Sequence, residues 1–194
     1  MNNAILYSFR RCPYAIRARW AILNCGIKVI LREVSLKNKP LELKKSSPKG
    51  TVPVLITSEG EIIDESLQII KWSINKTFNK NNIGFFDAEA TEKVNDLISQ
   101  NDNIFKYHLD RFKYPNRFIG INHKEHNLKA YKILTGWDRL IESSIQKYNV
   151  SWLTGKEESI ADWSLWPFVR QYRLIEPKKF DNDRNLSNLK KWLN

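Results

Sequence analysis

The chain has 194 residues, a formal net charge of +11 and seven tryptophans, which suits one or two domains with a packed core. No apolar run approaches the roughly 20 residues that a membrane span needs, so a membrane-embedded function is not expected. Its basic residues are dispersed along the sequence rather than clustered, so a nucleic-acid partner is not expected either.

The first 76 residues alternate between strand and helix signals. Short strands are predicted at 4–7, 28–33, 52–57 and 61–63, and helices from Pro13 to about Cys25, at 41–45 and from Ser66 onward. This order of elements, βαβαββα, predicts an α/β domain in which helices cover a small mixed sheet.

The second half of the chain has only helical periodicity. A polar stretch rich in Asn and Lys separates the halves and predicts a linker at 77–87, between domains at 1–76 and 88–194. Helices are predicted at 88–109, 126–148, 159–175 and 186–193. We therefore expect an all-α helical bundle as the C-terminal domain.

Cys12 stands between the first strand and the first helix, directly before Pro13. Proline is favoured at the first helical position, so Cys12 is predicted to lie at a helix N-terminus. Free N–H groups and the helix dipole favour an anion there, and the thiolate is the reactive form of cysteine. Arg10 and Arg11 act in the same direction if they point at the sulfur. The alternative is a buried, inert thiol.

The two cysteines, Cys12 and Cys25, are predicted to be separated by roughly 20 Å along one helix. A disulfide requires Cα atoms within about 7 Å, so the two cannot be bridged within one molecule. Reduced cysteines and the absence of a signal-peptide pattern favour a cytoplasmic location.

Two further segments have the character of a binding site. Pro53 belongs at a strand start, where a cis bond exposes the backbone of Val52 to an extended ligand; the alternative is an ordinary edge proline. Glu65 and Ser66 stand at a helix N-terminus, which binds carboxylates and phosphates well, although simple capping also accounts for Ser66.

Ser159 and Asp162 have the spacing of a capping box at the start of an apolar helix. We interpret this pair as structural, because capping accounts for it without a catalytic role for Asp162. His108, His123 and His126 have no Cys or acidic partner at a recognisable metal-binding spacing, so no metal is expected.

Taken together, these segments resemble the cytosolic glutathione S-transferase superfamily, and in particular its cysteine-type classes (omega, beta and glutaredoxin-2-like). The resemblance extends over essentially the whole chain, and its main carriers are the segments 8–14, 47–55, 64–66 and 159–162. It implies a thioredoxin-like N-terminal domain followed by a helical co-substrate domain, a probable homodimer, and glutathione as co-substrate.

The resemblance also implies roles for individual residues. Cys12 would face the glutathione sulfur as the catalytic residue. Val52 would pair its backbone with the cysteinyl part of glutathione, next to a cis Pro53. Glu65 and Ser66 would hold the γ-glutamyl end of the ligand.

Further positions complete the implied site. Lys39 or Lys49 would meet the glycyl carboxylate of glutathione. The co-substrate pocket would be bordered by Phe9, Arg11, Tyr14, Arg170 and Tyr172.

Ala15 stands where a dithiol motif has its second cysteine. This favours a monothiol cycle, in which Cys12 acts on mixed disulfides, glutathionyl conjugates or dehydroascorbate and glutathione resolves the intermediate. Conjugation through Tyr7 or Ser8 is a less natural fit. The alternative function is a non-catalytic binding or adaptor protein associated with transcription or translation.

Overall fold

The computed structural model describes residues 3–77 and 88–194. The chain divides into two compact units, Met1–Asn82 and Ile83–Asn194. The predicted linker at 77–87 lies outside the described residues except for Thr77, which ends a helix of the first unit. The domain boundary therefore stays a prediction.

The first unit contains a four-stranded mixed sheet. Its strands are β1 (Ala4–Ser8), β2 (Val29–Glu33), β3 (Val54–Ile56) and β4 (Ile62–Ile63). The strand order is β2-β1-β3-β4, in which β1 and β2 are parallel and the other two pairs are antiparallel. The predicted βαβαββα order is confirmed.

Three helices cover this sheet on both faces. They are α1 (Pro13–Asn24), α2 (Leu41–Ser46) and α3 (Ser66–Thr77). Neighbouring strand residues point to opposite faces, so Leu6 packs with Ala18 and Ile69 while Tyr7 packs with Leu43. The first cluster packs α1 and α3 against the sheet, and the second joins Leu43 of α2 to Tyr7 and to Ala15 of α1.

The third strand is shorter than predicted. It begins at Val54 rather than at residue 52, because Pro53 has no N–H to donate and the peptide bond before it is cis. Val52 consequently lies in the loop that precedes the strand.

The described part of the second unit is helical throughout. Its α-helices are α4 (Ala88–Ser99), α5 (Lys106–Lys113), α6 (His123–Tyr148), α7 (Ile160–Arg173), α8 (Pro177–Asn182) and α9 (Ser187–Leu193). None of the described helices is long and apolar enough to cross a membrane.

The prediction of a single α-helix at 88–109 is wrong in its middle part. A π-helical segment, Gln100–Phe105, joins α4 to α5. Its wider turn buries both Asn101 and Phe105, and the Phe105 ring packs 4.9 Å from the Trp137 ring. The Trp137 indole N–H also donates to the side-chain oxygen of Gln100 at 2.7 Å.

Two buried carboxylates organise the helix ends of the bundle. Asp162 accepts the backbone N–H of Ser159 at 2.9 Å, which confirms the predicted capping box of α7. Asp138 on α6 accepts the N–H groups of Asn188 and Leu189 at the start of α9. The sequence pattern missed this second cap, because donor and acceptor are 50 residues apart.

Candidate functional site

Cys12 lies at the N-terminus of α1. Its carbonyl accepts the N–H of Ile16 at 2.9 Å, and its own N–H donates to Phe9 at 3.0 Å, so the backbone around it is fixed. The half-buried Sγ lies 3.7 Å from the carbonyl oxygen of Val52. The thiol therefore stands between a helix N-terminus and the loop that carries the cis proline.

Arg19 is the cation that interacts with this thiol. Arg10 and Arg11 are exposed, whereas Arg19 donates to the carbonyl of Arg10 at 3.3 Å. Burial lowers the pKa of Arg19, while the charges of Glu33 and of ionised Cys12 raise it. The sequence analysis missed Arg19, although its position seven residues after Cys12 places it on the same helix face, two turns further on.

The peptide bond between Val52 and Pro53 is cis. Val52 is buried, and it shares an apolar cluster with Tyr7, Val54 and Leu43. Packing in this cluster holds the loop before β3 in place, so the Val52 carbonyl stays beside the Cys12 sulfur.

Ser66 is the first residue of α3, and its hydroxyl is held by a buried arginine. The Nε of Arg17 on α1 donates to Ser66 Oγ at 2.9 Å, and only 2% of Arg17 is exposed. The Arg17 guanidinium also lies 4.9 Å from the centre of the Tyr14 ring. Arg17 thus brings a positive charge to the N-terminus of α3, which the sequence analysis did not identify.

A charged cluster precedes α3. Lys49 Nζ contacts Glu65 Oε1 at 2.6 Å and Asp64 Oδ2 at 3.5 Å. The hydrogen bond to Glu65 is the main reason that the pKa of Lys49 is raised. Ser47 also donates to Asp64, at 3.0 Å. Lys49 and Glu65, which the resemblance assigns to opposite ends of glutathione, are thus in direct contact.

Lys39 lies beside the loop that leads to the cis proline. Gly50 has a φ of 57°, a conformation that favours glycine. A Cβ at this position would lie 3.6 Å from Lys39 Nζ. Lys39 forms no ion pair within residues 3–77 and 91–194, in contrast to Lys49, so it is the better placed of the two to meet a ligand carboxylate.

The residues predicted to border the co-substrate pocket are divided between the two units. Phe9 and Tyr14 are half-buried in the first unit, and Arg11 is exposed there. Arg170 and Tyr172 lie on α7 of the second unit, the former exposed and the latter half-buried. Their grouping into one pocket stays a prediction.

The histidines form contacts of their own. His108 and His126 approach each other through their Nδ1 atoms at 2.8 Å, and His123 Nδ1 lies 2.5 Å from the carbonyl oxygen of Arg111. Among the residues that the structure describes, no group of three or more His, Cys, Asp or Glu side chains is arranged to hold a metal ion.

Comparison with known proteins finds similarity to glutathione S-transferases. Residues 6–82 match the family described as glutathione S-transferase, N-terminal domain. Glutathione S-transferase omega-1 of Mus musculus is 26% identical over 178 residues, which cover 90% of this chain and 69% of the mouse protein. The omega-1 protein of Rattus norvegicus is 23% identical over 171 residues, 88% of this chain and 68% of the rat protein.

Solved structures show the same fold over the whole chain. A tau-class glutathione S-transferase from mango, Mangifera indica, has a TM-score of 0.82 at 20% identity, and the match covers 98% of this chain and 86% of the mango chain. Glutathione transferase omega 3C from Trametes versicolor has a TM-score of 0.76 at 20% identity, and the match covers 100% of this chain and 85% of the Trametes chain. The chain therefore has the glutathione S-transferase fold, its residues 6–82 match the N-terminal domain of that family, and its sequence is similar to that of the omega class.

Proposed function

We propose that this protein is a glutathione-dependent thiol transferase whose nucleophile is Cys12. The observation that carries the proposal is the position of the Cys12 sulfur, at the N-terminus of α1 and 3.7 Å from the Val52 carbonyl. The helix dipole, the N-terminal N–H groups and the Arg19 guanidinium favour a thiolate at this position, whereas the Val52 carbonyl accepts a hydrogen bond from the neutral thiol. Similarity to omega-class glutathione S-transferases also supports a glutathione-dependent function.

The proposed cycle consists of two thiol–disulfide exchanges. The Cys12 thiolate attacks the glutathione sulfur of a mixed disulfide, the S–S bond breaks, and the departing thiolate takes up a proton. A second glutathione thiolate then attacks the glutathione sulfur bound to Cys12, which releases glutathione disulfide and regenerates the Cys12 thiolate. Ala15 supplies no resolving thiol, so glutathione must complete the cycle. Mixed disulfides enter the cycle by this route. In a glutathionyl conjugate the Cys12 thiolate attacks the same glutathione sulfur, the carbon–sulfur bond breaks and the carbon takes up a proton. Dehydroascorbate is reduced to ascorbate by two glutathione thiols, which leave as glutathione disulfide through the Cys12–glutathione disulfide.

Glutathione binding is proposed along the loop and helix end that flank Cys12. The backbone of Val52, next to Pro53, pairs with the cysteinyl part of the ligand. The γ-glutamyl end lies at the N-terminus of α3, where Ser66 and Glu65 meet it and the charge of Arg17 adds to the helix dipole. Lys39 or Lys49 meets the glycyl carboxylate, Lys39 being the one without an ion pair among the described residues.

Three further features belong to this proposal. A small electrophile or disulfide is expected at the pocket bordered by Phe9, Arg11, Tyr14, Arg170 and Tyr172. The molecule is expected to be a homodimer. Its two cysteines are both free thiols, which suits the reducing environment of the cytoplasm.

The proposal is tested by the turnover of the mixed disulfide of glutathione and 2-mercaptoethanol. We expect Cys12→Ser to lower turnover by about a thousandfold or more, because the attacking thiolate is removed. The matched control is Cys25→Ala, since Cys25 is buried at the other end of α1 and packs as a small apolar residue. Cys12→Ser enzyme with wild-type turnover would contradict the proposal.

A further inference from the structure

A cavity lies within the helical unit. It has a volume of about 280 Å³ and opens between α5, α6, α7 and α8. Four of its ten lining residues are aromatic, namely Phe112, Tyr131, Tyr172 and Phe180. The Tyr172 ring is central, with its centroid 5.8 Å from that of Phe112 and 6.3 Å from that of Phe180. Every residue that lines the cavity belongs to the second unit.

The polar part of the wall is acidic. Glu176 and Asp183 both line the cavity, together with one cation, Lys179. Lys179 Nζ is already paired with Glu176, at 3.2 Å. Asp183 accepts the N–H of Asn185 at 2.9 Å but forms no ion pair with any of the described residues. The Tyr131 side chain also hydrogen-bonds to Asp183. Among the described residues, no cation is paired with this carboxylate at the aromatic cavity.

The two tyrosines stay neutral at physiological pH. Burial raises the pKa of Tyr172, and the charges of Glu176 and Asp183 raise it further. Burial likewise raises the pKa of Tyr131; the hydrogen bond from Asn185 opposes this shift, while the hydrogen bond to Asp183 and the charge of Asp183 add to it. The cavity thus offers neutral phenol rings, whose faces attract cations, beside a negative charge.

We propose that this cavity binds a small aromatic amine, with a single aromatic ring and a protonated amino group. The ring stacks between the Tyr172, Phe112 and Phe180 side chains, and the ammonium group meets the Asp183 carboxylate. The volume lies just below the usual range of small-molecule sites, which limits the ligand to about one ring with a short chain. The inference concerns a site separate from the proposed glutathione site, and the cavity shares only Tyr172 with the proposed co-substrate pocket.

The probe is 2-phenylethylamine, titrated calorimetrically into the full-length protein in the presence of saturating glutathione. We expect a Kd of roughly 0.1–1 mM, in keeping with so small a ligand. The anion 3-phenylpropanoate, which has the same ring and a similar chain length, and propylamine, which has no ring, should each bind at least tenfold more weakly.

Two variants test where the amine binds. Asp183→Asn keeps an acceptor for the Asn185 N–H but removes the charge, so the affinity for 2-phenylethylamine should fall about tenfold. Leu128→Lys, at a residue that lines the cavity and is 67% exposed, should weaken binding by charge repulsion. Glu157→Gln is the control, since it removes an exposed carboxylate that does not line the cavity.

The outcomes are distinct. Loss of amine affinity in both cavity variants, with unchanged binding in Glu157→Gln and in Cys12→Ser, supports the proposal. The absence of binding up to about 10 mM overturns it, as do equal affinity for 3-phenylpropanoate and unchanged affinity in Asp183→Asn. Competition by glutathione would place the amine at the proposed glutathione site and would likewise overturn this inference.

Discussion

Cys12 acquires its chemical setting from groups that come from different parts of the first unit. The start of α1 supplies N–H groups, the loop before β3 supplies the Val52 carbonyl, and Arg19 supplies a guanidinium. The charge of Cys12 is one of the causes that act to raise the pKa of Arg19, which couples this guanidinium to the sulfur. Arg19, rather than Arg10 or Arg11, is therefore the arginine that we expect to control thiol reactivity.

Replacing Arg19 tests this assignment. We expect Arg19→Gln to slow the alkylation of Cys12 by iodoacetamide at neutral pH by about two- to fivefold, as suits a partly solvated charge pair. Site-specific alkylation is followed by peptide mass spectrometry. Arg19→Lys should keep most of the rate because the charge remains, and Arg11→Gln, at an exposed arginine, serves as the control. An unchanged rate in Arg19→Gln would show that this guanidinium does not act on the thiol.

The helices of the second unit are joined by partly buried polar contacts as well as by apolar packing. His108 on α5 and His126 on α6 share a close Nδ1–Nδ1 contact of 2.8 Å. Burial lowers the pKa of His108, and the charges of His126, Lys129 and Arg111 lower it further. Burial and the charges of Arg111 and Lys129 lower the pKa of His126 in the same way. The charge of Glu125 opposes both shifts.

This pair makes the stability of the helical unit depend on pH. Because both pKa values are lower in the folded than in the unfolded state, the unfolded state binds more protons below about pH 6.5. The contribution of the pair is therefore complete above that pH and is lost as the pH falls towards the folded-state pKa values. We expect the wild-type Tm to drop more between pH 7.5 and pH 5 than that of a double variant, His108→Gln with His126→Gln.

The measurement is thermal unfolding of both proteins, followed by circular dichroism in the same buffers. Titration of the carboxylates is common to the two proteins, so the difference between them isolates the imidazoles. If the Tm of the double variant fell as much between pH 7.5 and pH 5 as that of the wild type, the His108–His126 contact would not be a source of the pH dependence.

Much of the fold was predictable because local signals determine it. Alternating apolar residues mark the strands, Pro13 marks the start of α1, and the capping box of Ser159 and Asp162 marks the start of α7. The π-helical turn was not predictable, because the side chain that accompanies it, Trp137, lies more than 30 residues further along the chain. Interactions at that distance leave no periodic pattern in the sequence.

The candidate site was predictable to a similar extent. Cys12 and the Val52–Pro53 bond are visible as short motifs, and the structure places the sulfur near the Val52 carbonyl. The supporting arginines, Arg17 and Arg19, look like ordinary helix-surface residues in the sequence. Only the packing of α1 against its neighbours shows that Arg17 is buried beside Ser66 and that Arg19 faces the thiol end of the helix.

For the molecule as a whole, the net charge of +11 suits a ligand such as glutathione, which has a carboxylate at each end. The same charge is compatible with the alternative of a binding or adaptor protein, because a fold does not determine a function. The two possibilities differ in whether Cys12 exchanges with glutathione. An adaptor has no need of a reactive thiol beside a cis proline.

The decisive measurement is the intact mass of the protein after incubation with glutathione disulfide, followed by peptide mapping. We expect one glutathionyl group per chain, attached to Cys12 and removed by reduced glutathione, with none on the buried Cys25. Cys12→Ser should gain no such group, while Cys25→Ala should gain one. A wild-type protein that stays unmodified under these conditions, or that is modified only at Cys25, would contradict the proposed thiol transfer and favour the adaptor function.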